Sequence, residues 1–300
     1  MNGRDPELAK ARAQARLRRG MYLLPSLFTC GNIAAGFFSI TETIKAISGD
    51  APTHLDWAAI AIIFAIPFDT LDGRIARMTN TASEFGKELD SLADAITFGV
   101  APALLALIWG FQFLPPETRN PTLLEHLHQA GGFICFLFLI GGVSRLARFN
   151  ISHDAQPRNP GRPGRKYFVG MPIPAAAGMV ASTVHFFGGI PVPAWWVALL
   201  WLAMVGLCGF LMVSTWRFWS GKEINFARAH PFQLLFVMAI VLYVMLRYSN
   251  VVFFGIGITY MFSGIWARAA YGWSRRRRKG AGGVAIADAH SVETESAKLS

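Results

Sequence analysis

Residues 67–99 read PFDTLDGRIARMTNTASEFGKELDSLADAITFG, with long apolar runs on both sides. Within them stand Asp69, Asp72, Asp90 and Asp94, in the pattern Asp-x2-Asp-Gly-x2-Ala-Arg-x8-Gly-x3-Asp-x3-Asp. A carboxylate at the edge of a bilayer is costly unless a cation or a proton compensates it. At 3.6 residues per helical turn, Asp69 and Asp72 share one face of one helix, and Asp90 and Asp94 share one face of the next. The two helices are antiparallel neighbours across a short connection. If the faces meet, four carboxylates converge on one small volume, and they cannot all ionise without intervening cations. Two divalent ions offset four charges. Hard oxygen ligands suit Mg2+, Mn2+ or Ca2+, and paired divalent ions recur at sites of displacement at phosphorus.

The other residues of the pattern suit phosphate. Gly73 and Gly86 have no side chain, so a substrate can approach the backbone closely. Arg77 lies little more than one turn beyond Asp72 and can fork onto a phosphate oxygen. Ser83 offers a hydroxyl in the connection between the helices, where Glu84 and Glu88 read as solvated.

Composition supplies the setting. Of the 300 residues 53% are hydrophobic and only 15% charged, which excludes an ordinary soluble domain. The expected fold is an all-α polytopic membrane protein. Eight transmembrane helices are placed at about 21–41, 55–76, 88–110, 131–150, 172–189, 193–214, 231–248 and 250–272, each near the length that crosses the hydrocarbon. Cys30, Cys135 and Cys208 lie far apart in apolar runs and read as packing residues. Three regions result: a basic N-terminal segment 1–20, in which 5–19 suits a surface helix on anionic lipid; a transmembrane catalytic domain 21–273; and a tail 274–300, basic at first and disordered from 280.

The 28 Lys and Arg set the orientation. Nearly all fall in the N-terminal tail, in alternate connections and just after the last span. The opposite side holds only Lys45, Arg119 and Arg247. This bias places both termini in the cytoplasm and agrees with an even number of spans. It also accounts for the net charge of +10 without nucleic acid. The aspartate stretch then lies at the cytoplasmic face of a multi-pass protein of the cell membrane, where nucleotides and Mg2+ are found.

Taken whole, Asp69-x2-Asp72-Gly73-x2-Ala76-Arg77-x8-Gly86-x3-Asp90-x3-Asp94 resembles the signature of the CDP-alcohol phosphatidyltransferase family, with every position filled. The resemblance implies transfer of a phosphatidyl group from CDP-diacylglycerol to an alcohol, with release of CMP. It implies two divalent metals, Mg2+ or Mn2+, held by the four aspartates, with Asp94 as general base. It places Gly73, Arg77, Ser83 and Gly86 against the CDP-diacylglycerol donor, and it implies a homodimer.

Three further stretches bear on the acceptor: PSLFTCGNIAAG at 25–36, RLARFN at 145–150 and FVGMPIPAAAG at 168–178. Together they resemble the serine-accepting branch of the family, which implies L-serine as acceptor. Arg145 and Arg148, three apart on one helical face, can hold a serine carboxylate or the donor pyrophosphate, with Asn150 beside them. Asn32 can read the cytosine edge of the donor or cap a helix. Choline, inositol phosphate and glycerol phosphate remain open as acceptors within the same chemistry. A metal-ion transporter is the reading from another class, although acids at the membrane edge beside an Arg favour phosphate. No Ser-His or Cys-His nucleophile arrangement is visible in the sequence.

Overall fold

The computed structural model describes residues 27–78, 84–114, 121–151, 167–219, 239, 243–245 and 247–296, and it describes the side chains of all of these except 72–78, 272 and 274–296. Helix α1 covers 27–45. Thr29, Asn32, Gly36, Ser39 and Thr43, spaced three or four apart, form its buried stripe, whereas Phe37, Phe38 and Ile44 face outward. Small residues let two backbones approach closely. A Cβ added at Gly36 would lie 2.9 Å from Thr97 Cα, so α1 sits tight on the helix that carries Thr97.

Helix α2 is Ala51–Met78 and contains Pro67. Proline has no N–H for the carbonyl four residues back, so the helix is loosened just before Asp69. Thr70 partly restrains that turn by donating from Oγ1 to the Ile66 carbonyl at 3.0 Å. Helix α3, Glu84–Gln112, is not uniform. It is α-helical over Glu84–Asp94, opens into a π-turn at Ala95–Val100, returns to α over Ala101–Leu107 and ends in a second π-turn, Ile108–Gln112. Pro102 cannot donate to the carbonyl of Phe98 and its ring crowds that carbonyl, which explains the widening immediately before it. Asp94 is the last residue ahead of that wide turn.

Helix α4 is Pro121–Ile151, α5 Ile173–Phe186, α6 Trp195–Val213 and α7 Ser249–Ser296. Helix α4 packs along α6, where a Cβ on Gly141 would lie 2.9 Å from the Gly209 carbonyl oxygen. Helix α5 is buried between α2 and α7, with Ile66 against Gly178 on one side and Met179 and Ser182 against Gly257 on the other. Strand β1, Tyr167–Val169, pairs antiparallel with β2, Arg217–Trp219. Among the described residues this short pair is the exception to an otherwise helical fold.

Five of the described helical segments are long and apolar enough to cross a membrane: Ala51–Leu71, Glu84–Gln112, Pro121–Ile151, Trp195–Val213 and Ser249–Tyr271. Expectation and structure differ in two places. The fifth expected span, 172–189, is a helix of only 14 residues, about 21 Å long at 1.5 Å per residue and too short to cross alone. Gly188 and Gly189, both at positive φ, end that stretch in turns. The tail expected to be disordered from 280 carries helical backbone to Ser296. Once the apolar part of α7 has nucleated a helix, each further residue adds one hydrogen bond, and no proline interrupts the series. The expected surface helix 5–19 lies outside the described residues, as does most of the expected span 231–248.

Two acids at the end of the bundle away from Asp69, Glu42 and Asp56, are matched with bases. Glu42 accepts from Lys45 Nζ at 2.8 Å and contacts His54 Nδ1 at 2.6 Å. Asp56 contacts His185 Nδ1 at 2.6 Å, and His185 Nε2 lies 2.9 Å from Ser249 Oγ. The sequence shows no Ser-His arrangement, yet the fold assembles this one from α2, α5 and α7. Asp56 stands roughly 20 Å along α2 from Asp69 at the helical rise. The triple contact ties three helices together and takes no part in the aspartate site.

Candidate metal and substrate site

Asp69 arrives from the loosened turn of α2, and Asp90 and Asp94 from the first three turns of α3. One carboxylate oxygen from each of the three lies within 4.8 Å of the other two. The Asp69 and Asp94 carboxyl groups are in hydrogen-bonding contact with each other. Two ionised carboxylates do not hold such a contact without a proton or a cation between them. This is the reverse of the far end of the bundle, where each buried acid meets a base. The geometry and the hard oxygen donors fit a divalent cation.

Two polar groups surround the acids. Asn32 of α1 is fully buried, and its Nδ2 donates to Asp94 Oδ1 at 3.3 Å. Its backbone carbonyl accepts from Thr97 Oγ1 at 2.9 Å. Thr97 stands in the π-turn that follows Asp94, so the widened turn fixes both partners of Asn32. Arg145 of α4 is 9% exposed, a depth an unpaired cation does not tolerate. It interacts electrostatically with Asp94 and Asp69, and its guanidinium lies 5.5 Å from the centre of the Phe149 ring.

The remaining expected site residues fall into three groups. Asn150 donates from Nδ2 to Ser91 Oγ at 2.9 Å, which ties the end of α4 to α3 between Asp90 and Asp94. Gly86 is half-buried in the first turn of α3. Asp72, Gly73 and Arg77 belong to the last turns of α2, where side chains lie outside the described part, and Ser83 lies outside the described residues altogether.

Arg148 is engaged elsewhere. Its Nη1 donates to the Val213 carbonyl at 3.0 Å, and its Nη2 lies 3.1, 3.2 and 3.4 Å from the carbonyls of Val169, Met212 and Ser214. These include the terminal carbonyls of α6, which have no helical donor and attract a cation. Gly170, at φ +77°, makes room, because a Cβ there would lie 2.8 Å from Arg148 Nη2. The guanidinium thus joins α4, α6 and β1. Removing it leaves several carbonyls short of a donor, at about 1–3 kcal/mol for each one that stays buried. Arg148→Met is therefore expected to lower the thermal midpoint by several degrees while the acceptor KM of the folded enzyme stays within about twofold. A raised acceptor KM with unchanged melting would instead put Arg148 in the pocket.

No fixed position of a sequence motif falls on Thr97, Ser91 or Tyr260. Ser91 stands between two motif aspartates, a signal that was available. Thr97 comes in only through the π-turn. Tyr260 of α7 donates from its hydroxyl to the Trp219 carbonyl at 3.1 Å and interacts with Arg145, a neighbour no local pattern announces.

Fold and site together define a polytopic helical membrane protein with a convergent carboxylate cluster at one end of its bundle, suited to a divalent cation. The chain belongs to the CDP-alcohol phosphatidyltransferase family, whose sequence pattern it matches over residues 22–203. It is similar to the CDP-diacylglycerol--serine O-phosphatidyltransferase of Helicobacter pylori, with 36% identity over 213 residues covering 68% of this chain and 75% of that protein. The protein of the same name from Bacillus subtilis is 33% identical over 202 residues, or 66% of this chain and 90% of the relative. The one from Saccharomyces cerevisiae is 36% identical over 151 residues, about half of each chain.

Proposed function

We propose that this protein transfers the phosphatidyl group of CDP-diacylglycerol to L-serine, giving phosphatidylserine and CMP. Convergence of Asp69, Asp90 and Asp94 beside Arg145 is the observation that carries the reading. Relatives bearing the serine-transferase name cover most of the chain and support the choice of acceptor. The reading includes eight membrane segments, the short α5 crossing only together with its neighbours in the bundle, with both termini in the cytoplasm, and the site on the cytoplasmic face of the cell membrane as the charge bias directs. It also includes a homodimer.

Asp69, Asp72, Asp90 and Asp94 would hold two divalent ions, Mg2+ or Mn2+. Bound there, they would offset negative charge on the pyrophosphate and on departing CMP. The protein supplies the rest. Asp94 takes the proton from the serine hydroxyl. The serine oxygen forms a bond to the phosphorus that carries the diacylglycerol, and the bond from that phosphorus to the CMP oxygen breaks in line. CMP leaves with the electron pair. Arg77, Gly73, Ser83 and Gly86 position the nucleotide and pyrophosphate. Arg145 anchors the serine carboxylate, while the acyl chains stay in lipid between the helices.

CMP release from CDP-diacylglycerol, with each acceptor supplied singly, tests this directly. L-serine is expected to support release with Mg2+ or Mn2+, and choline, inositol phosphate and glycerol phosphate are expected to support little. Release driven by another acceptor and not by serine would reassign the substrate. Metal uptake into vesicles with no CMP release would replace the enzyme by a transporter.

A further inference from the structure

Among the described residues Asn32 holds the one fully buried carboxamide at the site, and only half of it is satisfied. Nδ2 donates to Asp94 Oδ1. An ionised carboxylate only accepts hydrogen bonds, so this contact fixes which end of the carboxamide faces Asp94. The Oδ1 atom is buried and has no hydrogen-bond partner among the described residues. The Thr97 hydroxyl is committed to the backbone carbonyl of Asn32 and not to its side chain. The side chain has little freedom to turn away, because Gly36, one turn further along α1, locks the helix against Thr97. A buried amide oxygen without a donor is costly, and a ligand that brings a donor removes the cost.

The position of this oxygen selects the donor. It belongs to the same planar group that touches Asp94, so a ligand whose hydroxyl faces Asp94 presents its adjacent substituent to Asn32. In serine that substituent is the ammonium on the neighbouring carbon. An ammonium has three donors and no acceptor, which matches a lone carbonyl oxygen beside carboxylates. Arg145, which interacts with Asp94 and Asp69, suits the serine carboxylate.

We propose that Asn32 is a specificity residue of the acceptor pocket: its Oδ1 accepts a hydrogen bond from the ammonium of the acceptor amino acid, while its Nδ2 holds Asp94 in place. This rests on the serine-transfer reading. It moves Asn32, for which the sequence allows the cytosine edge of the donor or a helix cap, to the acceptor.

The test compares L-serine with 3-hydroxypropionate, which keeps the hydroxyl and the carboxylate and lacks the ammonium. The full-length enzyme in mixed micelles with Mn2+ serves for both. Wild type is expected to favour serine in kcat/KM by at least about tenfold, the scale of a charge-assisted hydrogen bond. Asn32→Leu, the same in branched shape and unable to accept, is expected to lose most of that preference with the KM for CDP-diacylglycerol within about twofold. Asn32→Asp keeps an acceptor for the ammonium and is expected to keep the preference, at lower kcat because Asp94 loses its donor. The preference ratio is internal to each variant, so a loss of folded protein does not move it. Mn2+ binding by electron paramagnetic resonance checks separately that the aspartate site persists. An unchanged preference in Asn32→Leu overturns the proposal, as does a raised KM for CDP-diacylglycerol with an unchanged KM for serine. If wild type transfers to neither compound yet uses another alcohol, the serine reading itself has failed, a result distinct from both.

Discussion

Replacing Asp94 with Asn is expected to lower CMP release by at least about a thousandfold while CDP-diacylglycerol still binds. Asn has the volume of Asp, and its side-chain oxygen can still accept from Asn32 Nδ2, so the packing of α1 on α3 survives. What disappears is the negative oxygen proposed to take the proton. Loss of a general base alone costs about a hundred- to ten-thousandfold, and Asp94 also contributes one of the clustered oxygens. Turnover is read as CMP release under saturating serine and Mn2+. Donor binding is read by equilibrium dialysis of labelled CDP-diacylglycerol in micelles. Near-normal turnover would sink the base assignment. Loss of donor binding in parallel with turnover would make Asp94 a donor anchor. Asp56→Asn is the control, since that acid pairs with His185 at the far end of the bundle and its loss is expected to affect melting and leave turnover near wild type.

The control also shows what a sequence can and cannot reveal here. Asp56 and Asp69 lie in the same apolar helix, yet one is matched with a histidine and the other meets two more acids. Spacing separates them. Asp69 stands at i,i+3 from Asp72, and Asp90 at i,i+4 from Asp94, and helical periodicity alone brings each pair to one face. The helical class was legible for a similar reason, because apolar runs of the right length have few alternatives in a bilayer. Arg145 and Arg148 were not separable in this way. Both stand on one face of α4, and only the arrival of the α6 carbonyls and of β1 determines that Arg148 joins elements while Arg145 stays with the acids. The partners of Asn32 were hidden for a third reason. They depend on a π-turn beginning at Ala95, and a local change in helical pitch leaves no periodic trace beyond Pro102. The short α5 resembles a span in composition because it is buried in protein on nearly all sides, and protein interior and lipid select the same side chains.

Chelation is expected to abolish CMP release, and Mg2+ or Mn2+ to restore it, for a reason that charge bookkeeping makes specific. Three carboxylates and the Arg145 guanidinium leave a net charge of minus two, which one divalent ion neutralises. A neutral site has no attraction for the pyrophosphate of CDP-diacylglycerol, which brings negative charge of its own. With Asp72, the fourth acid of the pattern, the site becomes net positive only when a second divalent ion joins it together with the donor. The second ion is therefore expected to bind weakly alone and more tightly once the pyrophosphate supplies further oxygens. Titration with Mn2+, followed by electron paramagnetic resonance, should give one bound ion per chain without donor and two with CDP-diacylglycerol at the same free Mn2+. Asp69→Asn should weaken binding of the first ion by at least about tenfold and carry CMP release down with it. Stoichiometry that stays at one in the presence of donor would leave a single-ion site. Turnover that survives exhaustive chelation would remove the metal from the reaction and leave the contact between Asp69 and Asp94 to be held by a proton.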